Sequence, residues 1–171
     1  RLTTRSIIIA AGSRPAVPPL PGLDETGFVT SDTLWERFAA REQPPQRLVV
    51  LGGGPIGCEL AQAFARLGSQ VTQVEMADRL LGREDTEVAD LVRKALEASG
   101  VTILTGHKAL RVEKTAAGNV LTVETAGVRR SVAFDELLIA VGRSARLTTM
   151  TSKSPVSLFS MRLKLKVGGR S

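Results

Sequence analysis

Apolar residues along this chain fall into two rhythms. Short runs at residues 7–10 (IIIA), 46–51 (QRLVVL), 71–74 (VTQV), 101–104 (VTIL) and 137–140 (LLIA) read as buried strands of parallel type. Between them, apolar positions recur at helical spacing. Ile56, Leu60, Ala63, Phe64 and Leu67 share one face, with Pro55 at the first helical position, where a missing N–H costs nothing, and Gly68 as the stop. Asp85 is the expected cap of a second helix that presents Val88, Leu91, Val92, Ala95 and Leu96 and stops at Ser99-Gly100. Ser31, Asp32 or Thr33 offers a cap for a shorter helix carrying Leu34, Trp35 and Phe38, the two aromatics being expected in a satellite core.

After residue 104 the rhythm changes. Residues 110–114, 120–125 and 130–134 alternate or nearly so, separated by the turn-prone stretches 116–119 and 126–127, which predicts a three-stranded antiparallel meander. At the other end, residues 14–22 hold four prolines in nine positions, so this segment is expected to run extended as a linker. The whole predicts an α/β fold: a parallel sheet of Rossmann type with flanking helices and a meander inserted before its last strand.

Composition trims the possibilities. In 171 residues, 43% apolar and 23% charged is the make-up of a globular domain. No apolar run approaches the about 18 residues needed to span a bilayer, and no secretory leader is visible. With one cysteine there is neither an internal disulfide nor a two-thiol redox centre, which points to a cytoplasmic setting. The first residue is Arg1 rather than Met, so the chain reads as a fragment or a processed product.

The net charge of +6 invites a nucleic-acid reading. Its distribution argues against one. Six of the 23 Lys and Arg (Arg146, Lys153, Arg162, Lys164, Lys166, Arg170) lie in residues 144–171 without any acid, leaving 17 against 17 acids in residues 1–143. The expected organisation is a strand and Pro-rich linker at 1–22, the α/β domain at 23–143, and an aberrant basic tail at 144–171. That tail is expected to be disordered or non-native, with residues 161–167 as an opportunistic edge strand at most. No nucleic-acid or membrane partner is expected.

The chemistry sits where the strand at 46–51 meets Gly52, Gly53, Gly54, Pro55, Ile56 and Gly57, a G-x-G-x-x-G turn that opens a helix. Eighteen positions after Gly57, Glu75 closes the next strand. Each part has a job in binding a dinucleotide. Gly52 allows the tight turn, Gly54 lets the backbone approach a pyrophosphate, and Gly57 lets the helix pack close to the strand. The helix N-terminus offers N–H groups and a positive dipole end to the phosphates. Glu75 is placed to accept from a ribose 2′-hydroxyl, which favours NAD over NADP; Arg79 and Arg83 nearby soften that preference. Cys58 reads as a small packing residue and His107 as a surface residue. No metal ligands and no catalytic residues are evident.

Three motifs in order, residues 7–15 (IIIAAGSRP), 49–61 (VVLGGGPIGCELA) and 135–143 (DELLIAVGR), resemble the NAD(P)-binding domain of the FAD-dependent pyridine nucleotide–disulfide oxidoreductases. Residues 59–72 (ELAQAFARLGSQVT) look most like the mercuric-reductase and dihydrolipoamide-dehydrogenase branches. The resemblance covers roughly residues 3–146. It implies that Ala11, Gly12 and Ser13 lie where an FAD domain hands over, and that Ala140, Val141 and Gly142 do so on the return, Gly142 near the nicotinamide nucleotide. It implies that Glu59 faces the flavin side and pairs with a lysine of the FAD domain, and that Ala109 contacts the adenine.

Two departures stand out: Ala11 replaces a usual Thr, and Pro55 replaces a Tyr that in some members covers the nicotinamide pocket. The family's FAD fingerprint, C-x4-C pair, late Gly-Asp motif and His-Glu dyad are absent. The resemblance therefore implies a parent enzyme that passes hydride from NADH to FAD and on to a cysteine pair, working as a homodimer through domains missing from this chain. Alone, the fragment is expected to be inactive. A non-catalytic NAD- or adenine-nucleotide-binding module, or a flavin-linked NADH oxidase or ferredoxin-type reductase without a cysteine pair, are the alternative readings.

Overall fold

The computed structural model describes residues 12–145. The expected strand at 7–10, Ala11, the edge strand at 161–167 and the tail from residue 146 lie outside the described residues. Ser13–Ser144 form one compact unit.

At the centre of that unit is β3 (Arg47–Leu51), buried on both faces after its first residue. A strand so placed must be apolar throughout, which is why Leu48, Val49, Val50 and Leu51 do not alternate with polar residues. It pairs in parallel with β4 (Gln70–Val74) on one side and β9 (Glu136–Ile139) on the other. Beyond β4 lies β5 (Thr102–Leu104), and beyond β9 lies β2 (Val29–Thr30), giving the order β2-β9-β3-β4-β5. Helix α3 (Pro55–Arg66) connects β3 to β4, and α4 (Thr86–Ala98) leads into β5. Helices α1 (Leu23–Thr26) and α2 (Leu34–Ala39) flank β2.

The meander follows as β6 (Lys108–Thr115), β7 (Gly118–Thr125) and β8 (Val128–Phe134), antiparallel and longer than the alternation alone indicates. Ala126 and Gly127 both have positive φ, as a primed two-residue hairpin turn requires. Two cores result. Val49 and Leu51 of β3 cluster with Leu121, Val123 and Phe134 of the meander, whereas Leu48 and Val50 cluster with Cys58, Ala61 and Phe64 of α3. β1 (Ser13–Pro15) and β10 (Arg143–Ala145) form a separate two-stranded sheet.

Some expectations need correcting. The two-residue strand β2 has no counterpart in the sequence pattern, because nothing so short shows a period. On α4 the buried positions are Ala89 and Leu96, with Val92 packed against the core, while Val88 and Leu91 are exposed. The helix leans on the sheet along a narrower stripe than its apolar content suggests. Trp35 is exposed too; only Phe38 joins the core, meeting Phe64 edge-to-face at 5.5 Å between centroids. Neither Thr33 nor Asp85 caps its helix through the side chain. The proline-rich stretch, free of helix until α1, packs against the unit: Leu20 is buried, and the Pro21 carbonyl accepts from Val112 N at 2.9 Å.

Candidate dinucleotide-binding cleft

β3, β4 and β9 end side by side, and the turns that follow them build one site. A cleft of about 1140 Å³ is lined by residues 51–56 at the end of β3, 74–77 at the end of β4, 140–143 after β9, and residues 107–110. In an open parallel sheet this carboxyl edge is where ligands bind.

The glycines are there for measurable reasons. Gly52 has φ +119°, and a Cβ on it would lie 2.4 Å from the Ala140 carbonyl oxygen. A Cβ on Gly57 would lie 2.3 Å from the Gly52 carbonyl oxygen, so the close seat of α3 on β3 depends on it. Around Gly54 an added Cβ would meet nothing within 4 Å, so backbone is accessible from the cleft at that point. Gly54 is the extended N-cap residue of α3, Pro55 begins the helix, and no side chain caps its first turn. Ile56 is half-buried beside them and lines the cleft.

Glu75 is half-buried at the end of β4, and both carboxylate oxygens are engaged. Oε2 accepts from Gly53 N, and Oε1 accepts from Ala77 N at 2.8 Å. Gly53 is itself dictated by this contact, since a Cβ on it would fall 2.8 Å from Glu75 Cγ and 2.8 Å from Leu80 Cδ2. The same turn is pinned to the next loop, where His107 N donates to the Glu75 carbonyl and Gly106 N to the Ala77 carbonyl.

Of the residues singled out from the sequence, Gly52, Gly53, Gly54, Pro55, Ile56, Glu75, Ala109, Ala140, Val141 and Gly142 all line this cleft. Gly57 lies behind it, against β3. Glu59 is exposed and outside the cleft lining. Gly12 is exposed, and Ser13 is engaged by Arg143, whose Nε donates to Ser13 Oγ at 2.8 Å and whose Nη2 donates to the Ser13 carbonyl at 3.0 Å. Arg143 Nη1 also reaches Asp32 Oδ1 at 3.0 Å and Ser31 Oγ at 3.2 Å. One guanidinium therefore ties β1, β10 and the turn before α2.

The cleft also holds residues that the motifs alone did not assign. His107 and Lys108 line it beside Ala109, as do Ala16 and Pro18 from the proline-rich segment. His107, expected as a surface residue, is therefore a cleft residue, brought in by the loop after β5. Arg79 and Arg83 both line the cleft, but Arg79 donates to the Gly82 carbonyl at 2.9 Å and to Thr86 Oγ1 at 3.1 Å, within its own loop. Cys58 is buried beneath the loop, and burial pushes its thiol up, the opposite of what a reactive thiolate needs. Among the described residues, no group of three or more His, Cys, Asp or Glu is placed to hold a metal ion, and no helix is long and apolar enough to cross a membrane.

A parallel sheet with a glycine turn, a helix and a terminal acid at its carboxyl edge defines the dinucleotide-binding class of α/β protein. The chain belongs to the pyridine nucleotide-disulphide oxidoreductase family, whose model matches residues 1–161. It is 37% identical over 150 residues to a mercuric reductase of Bacillus cereus, covering 88% of this chain and 23% of that protein. Its fold is similar to the HOCl-induced flavoprotein disulfide reductase RclA from Escherichia coli, at 34% identity and a TM-score of 0.65, covering 81% of this chain and 31% of that one. It is also similar to the water-forming NADH oxidase from Lactobacillus brevis bound to NADH, at 26% identity and a TM-score of 0.63, covering 77% and 29%. The chain spans only 23–30% of the length of curated relatives such as these mercuric reductases and dihydrolipoyl dehydrogenases.

Proposed function

We propose that this chain is the NAD(H)-binding domain of a flavoprotein oxidoreductase that passes hydride from NADH to FAD and on to a cysteine pair, both of which lie on parts of the enzyme outside this chain. The observation that carries the reading is the engagement of Glu75 with Gly53 at the edge of the cleft, which puts the glycine turn and the acid in one site.

The residues present fit the group. Gly54 leaves backbone open to a pyrophosphate, and the uncapped first turn of α3 supplies positive partial charge to it. Ala140, Val141 and Gly142 provide a side-chain-poor wall near the nicotinamide end, and Ala109 with its neighbours provides the adenine end. The nicotinamide supplies the hydride when bound; the protein's part is to bind and orient it. Glu75 retains acceptor capacity beyond its two amide partners, enough for ribose hydroxyls, whereas a 2′-phosphate would meet its negative charge. Arg79, spent on its own loop, offers that phosphate little relief, which supports NAD over NADP. Glu59, exposed on α3, would pair with a lysine of an FAD domain, and Ala11, Gly12 and Ser13 would border that domain.

In this reading the parent is a homodimer with FAD and dimerisation domains, residues 1–22 lead in from the FAD domain, and the tail after Arg143 is not part of the nucleotide site. The fragment alone has no redox pair and would be inactive. The similarity to a water-forming NADH oxidase favours one second reading, a flavin-linked NADH oxidase without a cysteine pair. Calorimetric titration of the chain with NADH tests the binding role: a dissociation constant in the millimolar range or tighter supports it, and no heat at millimolar NADH overturns it. A C-x4-C pair encoded upstream of Arg1 would separate the disulfide enzyme from the oxidase.

A further inference from the structure

Gln73 is out of character with its surroundings. It stands in β4 at 0% exposure, where its neighbours Val71 and Val74 are apolar and buried. A buried amide is costly unless it is hydrogen-bonded. Gln73 Nε2 donates to the Gly52 carbonyl at 3.0 Å and reaches Cys58 Sγ at 3.6 Å. Gln73 Oε1, by contrast, is the one buried side-chain polar atom among the described residues with no partner. The half of the amide that is used points at the glycine turn.

Glu75 directly follows β4, and its N still donates to the Leu104 carbonyl at 2.9 Å, so Gln73 and Glu75, two residues apart, share a face. The Gly52 carbonyl oxygen that Gln73 holds and the Gly53 N–H that Glu75 holds belong to one peptide plane. That plane is flanked by two glycines, the residues that least resist its rotation. The start of α3 is fitted to the same oxygen: a Cβ on Gly57 would lie 2.3 Å from it and 3.2 Å from Gln73 Nε2.

We propose that Gln73 is a positioning residue that, together with Glu75, clamps the Gly52–Gly53 peptide at both ends and so presets the turn for a dinucleotide. Gln73 acts from behind the loop, on its carbonyl side. Its consequence for affinity rests on the nucleotide-binding reading above; the clamp itself does not. An unclamped peptide would visit rotated orientations, and binding would bear the cost of restoring the competent one.

The test uses the full 171-residue chain. Gln73→Met keeps the length and removes the donor; Gln73→Val is the second variant, suited to a buried strand. Three quantities are measured: hydrogen exchange of the Gly53 amide relative to that of Leu51, thermal unfolding, and NADH affinity. The expected result is faster Gly53 exchange and NADH binding weakened about fivefold, the equivalent of one neutral hydrogen bond. The melting temperature should change little, because the unpaired Oε1 leaves while the Gly52 carbonyl loses its donor. A merely structural role would lower melting and affinity while leaving Gly53 exchange unchanged relative to Leu51, and that result overturns the proposal. Unchanged Gly53 exchange in a folded variant overturns the clamp; faster exchange with unchanged NADH affinity overturns the positioning role. If wild-type chain binds no NADH, the nucleotide reading fails and exchange alone decides the clamp. If neither variant folds, Gln73 serves the fold rather than the turn, and the proposal is overturned.

Discussion

Gly53 and Glu75 are fitted to each other: the carboxylate accepts the glycine's N–H, and the space a Cβ would need at 53 is filled by Glu75 Cγ and Leu80 Cδ2, each 2.8 Å from it. The middle glycine of the turn is thus required by the acid behind it as well as by any ligand in front. Gly53→Ala should weaken NADH binding, and the loss should be smaller when measured in a Glu75→Ala background. That coupling is read from a double-mutant cycle on dissociation constants; strictly additive losses would mean that the two residues act separately.

Selectivity should follow the charge at 75. Removing a charge-assisted acceptor costs about 1.5–3 kcal/mol, so Glu75→Ala should weaken NADH by roughly tenfold or more while NADPH loses less. Glu75→Arg should shift the ratio further toward NADPH. Parallel titrations with the two nucleotides check this, and an unchanged ratio would show that another residue reads the ribose.

At Gly52 the constraint is steric and conformational together. With φ +119° and a Cβ position 2.4 Å from the Ala140 carbonyl oxygen, Gly52→Ala has to displace either β3 or the turn after β9. We expect destabilisation of about 3 kcal/mol or more, measured by urea unfolding; a loss under about 1 kcal/mol would show that the turn yields easily.

Acid should act at the far end of the same strands. The Asp135 carboxyl is held below its ordinary value, mainly by the hydrogen bond from Arg47, which donates to it from Nη2 at 2.6 Å and from the backbone N at 2.8 Å. A carboxyl whose folded pKa is depressed contributes stability that is present above its unfolded value and is lost as pH falls through the folded one. Asp135→Asn should therefore lower the melting temperature at neutral pH, with the gap to wild type closing as the medium is made more acidic than the ordinary carboxylate range. A gap independent of pH would assign the loss to packing.

Cys58 offers a simple probe of the loop's closure. Being buried, with its thiol pushed up by that burial, it should react with a disulfide reagent at neutral pH only as fast as the structure opens. Labelling should become rapid in denaturant. Fast labelling of the native chain would mean that the glycine turn opens far more often than its hydrogen bonds indicate.

How far the sequence could lead depended on how each residue earns its place. β3 and β4 were readable as short apolar runs and α3 as a helix opened by Pro55. The face of α3 was not: it turns Gly57, Cys58, Ala61 and Phe64 inward, while Ala63 and Leu67 of the expected stripe are exposed. Gly57 and Ala61 let the helix seat closely along a line of small residues that apolar spacing does not mark. The meander was readable because alternation survives wherever one face is wet. β2 was not readable, since Val29 and Thr30 depend on pairing with Leu138 and Ile139, more than a hundred positions away. The narrow stripe of α4 was hidden for a related reason: Val88 and Leu91 look like core until the sheet shows where it stops. In the site, the glycines and Glu75 announced themselves by spacing. His107 and Lys108 did not, because a loop from another strand brings them in, and Gln73 has no signature at all until its amide is seen against the Gly52 carbonyl.

The guanidinium of Arg143, bonded to Ser13 and Asp32, has a consequence for how this unit can be carried. Ala16 N donates to the Gly142 carbonyl at 2.9 Å, so the incoming and outgoing backbone of Ser13–Ser144 are in direct contact. A unit whose two ends touch occupies a single point on any longer polypeptide that contains it. Such a host needs no gap in its own framework to accommodate the cleft: it can leave along one strand and resume along the next, as though the whole unit were one elaborate surface loop.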